Sequence, residues 1–381
     1  MIPRTLKIPL NQSAFLLGPR QVGKTHLIQE KTRPDLFIDL LLYENFSRYS
    51  RNPDILQREV QALNRAGPLV VIDEVQRCPD ILNVVQSIME SREAARFLLT
   101  GSSARKLKRG GANLLAGRAV TLRLHPLTHE ELGDLFSLES VLRFGSLPRI
   151  ILEPDYSSRI RLLRSYVETY LREEIQQEAL TRNAPAFSHF LDLAGFENGR
   201  LLHFSGLSRE LGIDAKTVRS YFQILEDTLI GFFLEPYARS PRAKLVKHPK
   251  FFFFDGGVVS ALRRSLEPEL IEGTPPFGAA FEHWVILETR RLLDYREREY
   301  RLSFFRTGDG TEVDLIIEIG QEVWAIEIKS GTAPSSRELH GLRSFLNDHH
   351  VARAFCVCRA PRPYANGGIE FIPWREFMRL L

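Results

Sequence analysis

Along the first 125 positions, short apolar runs alternate with stretches whose apolar residues have helical spacing. The runs are Ser13–Leu17, Leu36–Leu40, Pro68–Ile72, Arg96–Thr100 and Ala119–Leu124, and the helical stretches between them include Thr25–Glu30, Pro53–Arg65 and Pro79–Ser91. Buried strands alternating with helices predict a mostly parallel sheet covered on both faces. Near Pro126 this rhythm stops, and Ser158–Asp227 reads as mainly helical. Beyond Pro275-Pro276 a helix over Gly278–Leu293 precedes strand-like runs at Arg301–Arg306, Glu312–Ile319 and Glu322–Ile328, then a helix and a strand at Val351–Cys358. The expected organisation is an α/β multidomain chain with domains over 1–157, 158–275 and 276–381.

Composition narrows the class. With 381 residues, 44% apolar and 26% charged, the chain is neither a single small module nor disordered throughout. No run approaches the roughly 18 apolar residues of a spanning helix, and Met-Ile-Pro-Arg-Thr-Leu-Lys lacks the apolar core of a signal peptide, so a cytoplasmic protein without a membrane partner is expected. Cys78, Cys356 and Cys358 are too few for a disulfide framework or a four-ligand zinc site and read as reduced, structural residues. The net charge of +4 is concentrated early: residues 1–150 hold 21 Lys+Arg against 15 Asp+Glu, while the rest is nearly balanced. Basic residues also bunch at Arg105, Lys106, Lys108 and Arg109 and from Arg239 to Lys250. Each cluster fits either contact with phosphates or a solvated loop.

Chemistry enters at Gly18-Pro19-Arg20-Gln21-Val22-Gly23-Lys24-Thr25, a P-loop pattern between a strand and a helix. Its glycines let backbone N–H groups face phosphates at the positive end of the helix; Lys24 would reach the β and γ phosphates and Thr25 would ligate Mg2+. The run Leu69–Ile72 ends in Asp73-Glu74, with Asp73 expected to hold Mg2+ and Glu74 to activate the attacking water. A third strand ends in Thr100-Gly101-Ser102-Ser103, where Thr100 or Ser102 either senses the γ-phosphate or caps a turn. Arg118 is open to two readings, an arginine finger toward a neighbouring subunit or a surface ion pair.

These residues, with Leu115–Arg118 and Pro126–Glu130, resemble the bacterial and archaeal AAA+ ATPases that join a "GPRQVGKT" P-loop domain to a C-terminal domain of unknown function. The resemblance spans nearly the whole chain. It implies an additional-strand P-loop core and a homo-oligomer, with a hexameric ring as one form.

In the middle, Phe204–Leu211, a glycine turn and Asp214 as N-cap open a second helix with Val218, Phe222 and Leu225 on its inner face. This helix-turn-helix layout exposes Lys216, Thr217, Arg219 and Ser220 at the helix start. Leu229–Leu234 and Phe251–Phe254, joined by the basic stretch, complete a winged-helix pattern in which Arg219, Lys244, Lys247 and Lys250 contact DNA phosphates. Such modules also bind proteins or serve as ATPase lids.

The last domain places Glu312 and Asp314 on one strand face and Glu327 and Lys329 on one face of the next, with Glu282 on the preceding helix. Paired carboxylates beside a lysine suit a second Mg2+ or Mn2+. The order of elements resembles the PD-(D/E)xK nucleases, the Holliday-junction resolvase branch in particular, which implies a restriction-endonuclease-like fold. An ion pair among Glu282, Asp314 and Lys329 is the alternative.

Together these features predict an Mg2+-dependent, oligomeric ATPase acting as motor or switch on double-stranded or branched DNA. The alternatives are a nucleotide-dependent regulator that binds proteins and an ATPase-controlled endonuclease.

Overall fold

A computed structural model of the chain describes residues 2–91, 95–103, 115, 117–174, 184–237 and 247–381. Two compact units emerge, one formed by Met1–Leu127 with Gln223–Ile230 and the other by Thr128–Phe222 with Gly231–Leu381. The expected subdivision into three domains at 157/158 and 275/276 follows the sequence pattern; the compact units divide elsewhere.

The first unit holds a five-stranded sheet, β1 (Ser13–Leu17), β2 (Leu36–Asp39), β3 (Leu69–Asp73), β4 (Arg96–Gly101) and β5 (Ala119–Arg123). Its order is β2-β3-β4-β1-β5 and every pairing is parallel. With β4 inserted between β1 and β3, this is the additional-strand arrangement. β3 is buried along its whole length, as a central parallel strand with both faces covered must be. Helix Ile81–Glu90 seats Ile81, Leu82, Val85 and Ile88 in a core with Val70, Ile72, Phe97 and Leu99. The parallel order brings the C-terminal ends of β1, β3 and β4 together, so the loops leaving them converge.

Helix Tyr43–Arg51 has no counterpart in the sequence reading; its apolar face is a short row of aromatics, Tyr43, Phe46 and Tyr49, of which only Tyr49 is buried.

The second unit is built around an eight-stranded mixed sheet. Its strands are β6 (Gly231–Pro236), β7 (Lys250–Phe253), β8 (Tyr300–Arg306), β9 (Glu312–Ile319), β10 (Glu322–Ile328), β11 (Arg353–Cys358), β12 (Tyr364–Asn366) and β13 (Ile369–Pro373). The order is β12-β13-β11-β10-β9-β8-β6-β7. The two strands expected to form a wing pair antiparallel with each other, and β6 also pairs parallel with β8. They therefore extend the sheet of the last domain. The β12–β13 hairpin went unread because all three residues of β12 are exposed, yet its turn is written in Asn366-Gly367-Gly368. Both glycines have positive φ, 61° and 79°, as a tight two-residue turn demands.

Helix Pro275–Tyr295 begins at the expected proline pair. Helices Phe204–Leu211 and Ala215–Asp227 are joined through Gly212 in the left-handed conformation, and the Asp214 carboxylate caps the second by accepting from the Thr217 N–H at 2.9 Å. Cys78, Cys356 and Cys358 are buried free thiols. No helix among the described residues is long and apolar enough to cross a membrane.

Candidate nucleotide site and a second acidic cluster

The P-loop leaves β1 and turns into helix Lys24–Lys31. Gly18 admits no side chain, since a Cβ there would lie 2.4 Å from the Leu124 carbonyl oxygen. Gln21 and Gly23 both have positive φ, 65° and 96°, which bends the loop into the concave form that presents amide groups to an anion. Arg4 braces it from outside: buried, it donates to the carbonyls of Val22 and His125, each at 2.6 Å. Arg4 lies far from any motif and went unread in the sequence.

Lys24 is only 6% exposed and donates to the carbonyls of Gly18 at 2.8 Å and Pro19 at 3.2 Å, with Glu74 at 3.7 Å. Burial holds its pKa below that of an ordinary lysine, against the raising influence of Glu74 and Asp73. The Thr25 hydroxyl donates to Asp73 Oδ2 at 2.7 Å, which places the two expected metal ligands side by side at the tip of β3.

The acidic pair is held by neutral donors from β4 and from the turn after β3. Thr100, fully buried, donates its hydroxyl to Asp73 and accepts from the Glu74 N–H at 2.9 Å. That hydroxyl is already engaged in fixing the two acids. Glu74 is in the left-handed region at φ 58°, an uncommon conformation for a residue other than glycine, and it turns the carboxylate away from the strand direction. Its Oε2 accepts from the Gln76 amide and, at 3.3 Å, from the Ser102 hydroxyl, while the same Gln76 amide donates to Ser102 at 2.9 Å. Gln76 was not among the expected site residues, and only its position two residues after Glu74 hinted at it.

The donor set fits Mg2+ and a nucleoside triphosphate. Thr25 and Asp73 would hold the metal, which neutralises phosphate charge when bound. The concave loop and Lys24 would bind the phosphates, and Glu74 would orient a water and accept its proton.

Arg118, expected as a finger or as a surface ion pair, is ion-paired with Glu90 at 2.7 Å, with both side chains more than two-fifths exposed. Arg105, Lys106, Lys108, Arg109 and Lys244 lie outside the described residues. Lys216, Arg219 and Lys247 are exposed, and the Arg219 guanidinium lies 5.7 Å from the Phe204 ring centre.

Glu282, Asp314, Glu327 and Lys329 do come together in the second unit. Lys329 contacts Glu327 at 2.6 Å and Asp314 at 4.0 Å, and Asp314 Oδ2 accepts from the Ile328 N–H at 2.8 Å. Two further residues join them, and one corrects an expectation. Lys250 does not contact DNA as a wing lysine: it lies on β7, 4% exposed, with its ammonium 2.6 Å from Glu312 and 3.4 Å from Glu282. A desolvated ammonium held by two carboxylates is not offered to solvent phosphates. Glu312 also pairs with Arg306 at 2.6 Å.

Loss of water is the main cause that drives the Glu282 carboxyl up to about 7 and Glu327 up to about 8, with Asp314 adding repulsion to both. One oxygen of Glu327 is buried without a hydrogen-bond partner. These residues do not fit the divalent ion that the nuclease resemblance implies. Each of the four carboxylates faces a lysine, and no group of three or more His, Cys, Asp or Glu among the described residues is arranged to hold a metal.

The first unit is thus a P-loop nucleotide site on an additional-strand parallel sheet. In keeping with this, residues 10–133 match the family described as "AAA domain", and the protein is an ATPase. Residues 135–269 match a domain of unknown function (DUF8612) and residues 277–377 another (DUF4143). Among curated proteins the chain is similar to an uncharacterised protein of Mycobacterium tuberculosis, 28% identical over 90% of this chain and 75% of that one. It is also similar to one of Haemophilus influenzae, 21% identical over 85% and 84%. Among solved structures it is similar to the Walker-type ATPase of Pyrococcus abyssi, 15% identical, covering 66% of this chain and 91% of that one at a TM-score of 0.45.

Proposed function

We propose that this ATPase works on double-stranded or branched DNA as an oligomeric switch or motor. The observation that carries the DNA part is the outer face of helix Ala215–Asp227, where Lys216, Arg219 and Ser220 are exposed at the start of the second helix of a helix-turn-helix pair. Val218 and Phe222 are fully buried on the opposite face, so the basic side chains are held on a rigid element. The winged-helix reading draws on the same pair and on the β6–β7 pairing that follows it. DNA cleavage is not part of the proposal, because the acidic cluster is occupied by lysines.

Binding of duplex and four-way DNA across roughly 50–200 mM salt tests it. Lys216→Ala with Arg219→Ala is expected to weaken affinity for all sequences and to reduce the salt slope by about one for each phosphate that is no longer neutralised. Unchanged affinity and slope would exclude this face. The oligomeric part rests on Arg118, whose side chain is part-exposed and would exchange its surface partner Glu90 for a neighbouring subunit's nucleotide. Mixing Arg118→Ala with Glu74→Gln protein is expected to restore some of the hydrolysis missing from either variant alone, since a mixed interface can contain one intact copy of each residue. Full activity of a strictly monomeric protein would remove the trans-acting arginine.

A further inference from the structure

Four carboxylates converge in the second unit from three elements: Glu282 from helix Pro275–Tyr295, Glu312 and Asp314 from β9, and Glu327 from β10. Such a set would ordinarily repel itself or gather a hard cation. Here each end is met by an ammonium. Lys250 reaches Glu312 at 2.6 Å and Glu282 at 3.4 Å, and Lys329 reaches Glu327 at 2.6 Å and Asp314 at 4.0 Å.

We propose that Lys250 is the resident cation of this cluster, taking the place between Glu282 and Glu312 that a divalent metal would need, so that the domain keeps its carboxylates as a metal-free charge network. Burial argues that the arrangement is built in, since Lys250 is only 4% exposed along β7, between buried neighbours. Its stem also runs beside an aromatic face, with the ammonium 5.3 Å from the Phe304 ring centre.

The charge balance agrees. Four acids face Lys250, Lys329 and Arg306, so three cations offset all but one of the carboxylate charges. The network is then nearly balanced without a metal. A buried ammonium with two carboxylates is also strongly retained: the nearby acids outweigh its desolvation and drive its pKa above the ordinary lysine value. The proposal does not rest on the DNA reading, because it concerns only what holds these acids together.

The test is Mn2+ binding to the full-length, nucleotide-free chain, read from the loss of the free-ion electron paramagnetic resonance signal. Wild type is expected to show no binding that Asp314→Asn abolishes. Lys250→Met, which keeps the stem and removes the charge, is expected to gain one Mn2+ site at least about tenfold tighter than any in wild type, removed again when Glu282→Gln is added. If Lys250→Met fails to fold, Lys250→Gln, which removes the charge and keeps a polar end to the stem, is the second variant and should gain the same site through Glu282 and Glu312. Wild-type binding that disappears in Asp314→Asn, or a folded variant of either kind that takes up no Mn2+, overturns the proposal.

Discussion

The two units each carry a cluster of acids at the edge of a sheet, and they hold them by opposite means. In the first, Asp73 and Glu74 are oriented by the hydrogen bonds of the neutral donors Thr25, Thr100, Gln76 and Ser102, and the one ammonium, Lys24, stays 3.7 Å from Glu74 and directs its hydrogen bonds to the loop carbonyls. In the second, Glu282, Glu312, Asp314 and Glu327 are oriented by ammonium groups and a guanidinium. A hydroxyl or amide fixes a carboxylate without cancelling its charge, so that charge remains available to a metal or a water. A lysine fixes and neutralises at once. Two acidic sites are therefore expected to differ in chemistry, one reactive and one structural.

The sharpest way to break this contrast is at Glu74. Glu74→Gln should retain ATP binding and lose turnover by about 10²–10⁴-fold, the usual span for a removed general base, while Lys24→Ala should lose phosphate affinity itself. Phosphate release and nucleotide binding, measured together, distinguish the two. Undiminished hydrolysis in Glu74→Gln would remove the reactive role from that acid.

In the second cluster the same kind of change should act on stability alone. Glu312→Ala leaves the buried Lys250 ammonium with one partner and should destabilise the second unit by about 3 kcal/mol, with ATP hydrolysis unchanged under folding conditions. Denaturant unfolding beside an ATPase assay reads both. A loss of hydrolysis without a loss of stability would reverse the contrast.

A smaller effect is expected at Gln76. Its amide only positions Glu74, so Gln76→Leu should lower kcat roughly tenfold while leaving nucleotide affinity near wild type. An equal rise in KM would show instead that Gln76 contributes to binding.

The smallest effect is a pH dependence. The Glu327 carboxyl is displaced upward in the fold to about 8, so its contribution to stability is fully present below the ordinary glutamate range and is lost as pH rises through about 8. His283, kept neutral by burial and bonded through Nε2 to the Phe253 carbonyl at 2.7 Å, has its pKa lowered to about 3. Its contribution is present above its ordinary value near 6.5 and is lost as pH falls toward 3. Between about pH 6.5 and 8 the melting temperature of the second unit should therefore fall, and Glu327→Gln should flatten that decline. An identical slope in the variant would mean that Glu327 does not keep its proton there.

Much of the first unit was legible because its chemistry is local. All five strands were expected close to where they lie, and the P-loop occupies eight consecutive residues with its glycines at the fixed positions the motif needs. Arg4 and Gln76 were not legible, for neither belongs to a pattern; each matters through a partner that the fold brings near. In the second unit the strands of the last domain were read well, but their sheet was not, since its order depends on which strand edges meet.

Lys250 shows where this boundary lies. The sequence by itself determined that a strand of four consecutive aromatics begins beside a lysine, that Glu282 sits on a helix, and that Glu312 and Asp314 share a strand face. Only the tertiary structure decided that β6 pairs with β8, which brings Lys250 at the sheet's far edge to Glu282, 32 residues later, and to Glu312, 62 residues later. The physical reason is that a charge has no fixed meaning along a chain. Whether an ammonium is solvated and free for phosphate, or desolvated and committed to carboxylates, depends on the medium and partners around it, and packing between distant segments supplies both.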